Sequence, residues 1–81
     1  MTIAEGGKYQ LLNSLTRHER DVAKHIANGL NNRAIAKIIS VNAYTVASLV
    51  VLIADKLERP EGYSSRVWIA RAVWEQCKNN E

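Results

Sequence analysis

From Leu15 onward, apolar residues recur every three or four positions in four blocks, a period that predicts helices and not strands. The first block opens at LTRHE. There Thr16 can accept from the backbone amide three residues on while Glu19 reaches back, and Leu15 supplies an apolar residue just before the cap. Val22, Ala23, Ile26 and Ala27 then share one face, with Arg17, Arg20 and Lys24 on the other, and Gly29 ends the helix. In the second, shorter block Asn31 is the cap, Ile35, Ala36 and Ile39 form the inward stripe, and Arg33 and Lys37 lie outside.

The segment SVNAY then makes a tight corner, because Ser40 and Asn42 are turn formers and Asn42 can cap the next helix. That third helix is expected over about Ala43 to Leu57, with Val46, Val50, Ile53 and Leu57 facing the core at spacings of four, three and four. ERPEGYSS, which holds the chain's single proline, reads as a loop. Ser64 or Ser65 caps a fourth helix running to about Lys78, with Ile69, Ala70, Val73 and Cys77 expected inward. Residues 1–14 carry Gly6 and Gly7 and no helical period. They are expected to form an arm ahead of a domain spanning 15–78, with Leu11 and Leu12 able to rest on the core.

Two short helices joined by a corner, the second longer, are the helix-turn-helix arrangement: one helix braces across the phosphate backbone while the next fits the major groove. Composition is compatible with this. The chain has 81 residues, 47% apolar and 23% charged, enough for one small core and little more, so self-association would help it. A net charge of +3 permits nucleic-acid binding without requiring it. The lone cysteine suits a reducing, cytoplasmic setting, and no signal-peptide pattern opens the chain. The longest apolar run, Val46 to Ala54, is nine residues against the roughly 20 that cross a bilayer, so no membrane role is expected.

The run LTRHERDVAKHIANGLNNRAIAKIISVNAYTVASLVVLIADKL closely resembles the DNA-binding domain of the LuxR/FixJ (GerE-type) bacterial transcription regulators. Leu15, Thr16, Glu19, Val22, Gly29, Leu30, Asn32, Ile35, Ala36, Thr45, Val46, Ile53, Lys56, Leu57, Ser65 and Arg66 carry the resemblance. It covers about residues 15 to 78 and implies an all-α, four-helix LuxR-type helix-turn-helix domain. The third helix would read DNA and the fourth would form dimers. It also implies that Arg33, Thr45 and Lys56 hold the DNA backbone, with Lys37 and Arg66 able to add to them. The sensory or receiver domain such regulators usually carry N-terminally has no counterpart in these residues, which gives the expectation of a stand-alone regulator.

Departures from the family pattern concentrate on the third helix. Ala47 stands where the family has lysine, Leu49 where it has histidine, and Leu52 where it often has a polar residue. Ala34 replaces a glutamate and His18 an arginine. The outward residues Ala47, Ser48, Val51 and Asp55 include no Arg, Lys, Asn or Gln, the side chains that discriminate base edges by paired hydrogen bonds. Apolar contact of Ala47 or Val51 with thymine methyl groups, and the Ser48 hydroxyl, are left for reading.

This surface has two readings. In one the chain is a dimeric DNA-binding regulator. In the other it has given up DNA and binds a partner regulator protein, with Leu49 and Leu52 in the contact unless they are simply core. On the fourth helix, Val67, Trp68, Arg71, Ala72 and Glu75 form the expected outer stripe, Trp68 serving as dimer or partner anchor, while Trp74 is assigned to the core. Any single Lys or Arg reads equally as solvated surface. His18 and His25 share a helix face, but no Cys, Asp or Glu joins them at metal-ligand spacing. With no phosphate loop and no nucleophile beside a base, no enzyme activity, metal or other cofactor is expected.

Overall fold

The structure, a computed structural model, describes residues 14–79, with side chains as far as Gln76. Four helices follow one another: α1 (Arg17–Ala27), α2 (Asn32–Ile39), α3 (Ala43–Lys56) and α4 (Ser65–Asn79). No strand occurs among the described residues. The arm expected over 1–14 lies, except for Ser14, outside them, as does the Cys77 side chain.

Each helix begins where a short polar side chain can satisfy an orphan amide. The capping box forms as expected: Glu19 N donates to Thr16 Oγ1 at 3.1 Å and Thr16 N donates to Glu19 Oε1 at 2.8 Å. Asn31 Oδ1 accepts from Ala34 N at 2.9 Å, Asn42 Oδ1 from Thr45 N at 2.8 Å, and Ser64 Oγ from Val67 N at 3.2 Å. At the end of α1, Gly29 takes φ 88°, which lets Leu30 N donate to His25 O (3.1 Å) and Gly29 N donate to Ile26 O (2.9 Å), closing the helix with a pair of hydrogen bonds to its last carbonyls.

The corner between α2 and α3 is made without glycine. Ser40 sits in the left-handed region at φ 61° and ψ 46°, and the chain turns by 103° between the two helix axes. An angle near a right angle lets α2 lie across α3 and bury Ile35 and Ala36 against Val46, Val50 and Ile53. These join Leu15, Val22, Ala23, Ile26, Ala54, Leu57, Ile69 and Ala72 in a single core to which all four helices contribute. The whole inner edge of α3 is thus enclosed, as its four-three-four spacing predicts.

The fourth helix is turned differently from the expectation. Ala72, assigned to an outer stripe, is 1% exposed and belongs to the core, while Trp74, assigned to the core, is 66% exposed. Trp68 is half-buried and packed against the core: its indole N–H donates to Leu57 O at 2.9 Å, and its ring stands edge-on to Tyr63 at 5.1 Å. The physical reason is that indole bond. A carbonyl left over at the end of α3 takes the Trp68 donor, which draws that side of α4 inward and sends Trp74 outward. Around it, Arg71 lies over the Tyr63 ring and donates to the Tyr63 hydroxyl, which fastens the α3–α4 loop to α4, and within the loop Arg59 donates to Tyr63 O.

A left-handed non-glycine residue costs about 1–2 kcal/mol, and glycine gives back roughly 0.5–1 kcal/mol of that through a freer unfolded chain. Ser40→Gly is therefore expected to raise stability by about 0.5–1 kcal/mol. Urea unfolding followed by circular dichroism measures it, and an unchanged or lower midpoint would reject the strain at this corner.

Candidate nucleic-acid interface

The outward side of the helix-turn-helix unit is formed by residues that the packing leaves over. On α3, burial of Val46, Val50, Ile53, Ala54 and Leu57 fixes the opposite face as Tyr44, Ser48, Val51 and Asp55, flanked by Thr45, Ala47 and Leu52, all exposed. On α2 the exposed residues are Arg33, Lys37 and Ile38. Neither Arg33 nor Lys37 meets an acid among the described residues, so both charges face solvent beside the corner. Leu49 is half-buried and packs against the core, whereas Val51 and Leu52 are 55% and 46% exposed.

Three residues assigned by resemblance to the DNA backbone are engaged within the protein. Lys56 Nζ lies 2.9 Å and 3.0 Å from the two Glu19 oxygens and thereby ties the last turn of α3 to the first turn of α1. Arg66 donates to Asn32 Oδ1 at 2.6 Å and to Leu30 O, bracing the α1–α2 turn from the first turn of α4. Thr45 Oγ1 lies 3.0 Å from Asn42 Oδ1. That oxygen can only accept, so the single hydroxyl proton of Thr45 points at the cap and away from any phosphate.

Glu19 is the one buried charged residue among those described. Burial works to raise its carboxyl, but the Thr16 amide and the Lys56 ammonium favour the charged form more strongly and hold it below the ordinary carboxylate value. Among the described residues no three or more His, Cys, Asp or Glu side chains gather as metal ligands, and no single helix is long and apolar enough to cross a membrane.

Two members of this surface, Tyr44 and Ile38, were missed from the sequence, and both have a signal there. Tyr44 lies two residues before inward Val46, and Ile38 two residues after inward Ala36, each about half a turn of helix round from that buried neighbour. The partners of Lys56 and Arg66 lie 37 and 34 residues away in the chain, where no local pattern reaches.

A bracing helix, a near-perpendicular corner and a second helix exposing one full face define a helix-turn-helix DNA-binding domain. The chain belongs to the bacterial regulatory proteins of the luxR family: the family model, GerE, matches residues 13–67, which takes in α1 to α3 and the start of α4. Membership implies a DNA-binding transcription regulator. Searches of curated proteins and of solved structures gave no match.

Because the Glu19 carboxyl is lowered in the folded state, its contribution is fully present above the ordinary carboxylate range and is lost as pH falls through the folded value. Glu19→Gln is expected to lower stability at pH 7 by roughly 1–3 kcal/mol, and by much less near pH 3. Thermal melts of both proteins across that range measure it. An equal difference at both pH values would show that charge at Glu19 is not what holds α1 to α3.

Proposed function

We propose that the protein is a cytoplasmic transcription regulator that lays α3 in the major groove of double-stranded DNA and acts as a homodimer. The observation that carries this is the fully enclosed inner edge of α3 beside an exposed outer face, with α2 crossing it at 103°. Arg33 and Lys37, free of internal partners among the described residues, are the phosphate contacts we favour. Lys56, Arg66 and Thr45 support the fold around them. Phosphate contacts position a protein and confer salt-dependent affinity without sequence information. Sequence reading then falls to Ala47, Ser48 and Val51, through thymine methyl groups and one hydroxyl.

For the dimer, the exposed side of α4 supports an interface over Val67, Arg71 and Trp74, with half-buried Ala70 between them and Glu75 paired to Arg71 at 3.3 Å. Trp68 and Ala72 stand behind that surface. A two-fold pair would set its α3 helices on half-sites about 34 Å apart. The second reading, a domain that binds and modulates a partner regulator, rests on Ile38, Val51 and Leu52, large apolar residues exposed on α2 and α3.

Titration of the protein with duplex DNA at several salt concentrations separates the two. Steep loss of affinity with salt supports the regulator, and absence of binding at low salt leaves the partner-binding domain. Arg33→Ala or Lys37→Ala is expected to weaken binding to all sequences alike and to lower the salt slope by about one unit each. An unchanged slope removes that residue from the contact. Trp74→Ala is expected to shift a dimer towards monomer in sedimentation, whereas Trp68→Ala should lower the melting temperature by removing the bond to Leu57 O. Equal mass for wild type and Trp74→Ala would reject the α4 interface.

A further inference from the structure

Tyr44 is the most exposed large apolar residue of the described chain, at 86%, and makes no hydrogen bond or ring contact with any described residue. An isolated aromatic side chain in water gains nothing from that position, yet the turn that carries it is tied down by its neighbours. The cap at Asn42 fixes the Thr45 amide through both its side chain and its carbonyl, and Val46, two residues beyond Tyr44, is wholly buried. The side chain therefore projects from a rigid first turn in one direction.

That direction is the one the reading face takes. Counting residues along α3, Tyr44, Ser48, Val51 and Asp55 lie in one row opposite the buried edge, and Tyr44 stands at its N-terminal end. In helix-turn-helix complexes it is the N-terminal residues of the second helix that meet base edges. The neighbouring hydroxyl of Thr45 is engaged by its cap, and Ala47, Val51 and Leu52 bring no donor, so the row's largest contact area and only aromatic ring belong to Tyr44. The one acid in the row, Asp55, lies at the far end of the helix, where it disfavours close approach of phosphate and leaves the Tyr44 end as the deeper one.

We infer that Tyr44 is a specificity-determining residue, its ring packing against the C5-methyl group of thymine in the major groove. This rests on the DNA-binding function proposed for α3. It adds an aromatic contact to a helix that has none of the usual paired hydrogen-bond readers, and it makes thymine-bearing steps the preferred sequence at that position.

The test begins with duplexes enriched by the wild-type protein from a randomised pool, compared with scrambled duplexes of the same length. Tyr44→Ala, with an unchanged melting temperature, is expected to lose roughly tenfold or more in affinity for the enriched duplex and less than about twofold for the scrambled one. Tyr44→Phe should keep wild-type affinity, since the ring is what packs. Replacing the thymines of the enriched duplex by uracil one at a time should reveal a position that weakens the wild type but not Tyr44→Ala. Equal losses on both duplexes, a loss in Tyr44→Phe as large as in Tyr44→Ala, or indifference of the wild type to uracil would each overturn the assignment. Wild type that binds no DNA at low salt is a separate result. It removes the DNA-binding function itself, and the role of Tyr44 with it.

Discussion

The Glu19 carboxylate holds two distant parts of the chain at once. One oxygen accepts from the Thr16 amide and so starts α1, and both oxygens meet the Lys56 ammonium and so fix the end of α3. Helix α3 has little else to choose its rotation by. Its fourteen residues are apolar almost all round, and an apolar helix can bury one side nearly as well as another. A charged tether at one end and a polar cap, Asn42, at the other restrict it to the rotation in which Val46, Val50, Ile53 and Leu57 go inward. The face shown to solvent is set by that choice.

From this constraint comes the use of the charges. Cations that sit near the ends of helices, Lys56 and Arg66, are drawn into bonds that hold helices together. Those on the open side of α2, Arg33 and Lys37, meet no acid among the described residues and remain for an outside anion. A domain of this size has a small core, and internal ionic and capping bonds of this kind complement its apolar packing. The outward face of α3 is then left with contact area and a single hydroxyl at Ser48 besides the tyrosine and the capped threonine. Such a face suits methyl-rich base edges better than hydrogen-bonded ones.

Helix ends and the inner faces of α1 to α3 were legible in the sequence because they rest on local rules. Thr16 with Glu19, Gly29, Asn31 and Asn42 each act within a few residues, and a three-four apolar spacing needs no knowledge of the partner. The family pattern was legible for the same reason. The fourth helix was not: Val67, Trp68, Ile69, Ala70, Ala72, Val73 and Trp74 put apolar groups on every side, so periodicity fixes no phase. The phase is decided by a bond from Trp68 to Leu57 O, eleven residues away, which exchanges the expected places of Ala72 and Trp74. The backbone roles assigned to Lys56 and Arg66 met the same obstacle, since a cation on a helix surface does not reveal whether a buried carboxylate or carbonyl waits across the fold. Tyr44 escapes a sequence reading that looks for hydrogen-bond donors, because its asset is the area of its ring.

The most direct test of the account is a residue-by-residue map of where DNA touches the domain. Nitrogen-15-labelled protein titrated with duplex DNA at low salt should show amide shift changes gathered on α2 from Arg33 to Ile38 and on α3 from Tyr44 to Leu52, with α4 beyond Val67 little affected. Shifts centred on α4, or none on α3, would contradict the placement of α3 in the groove.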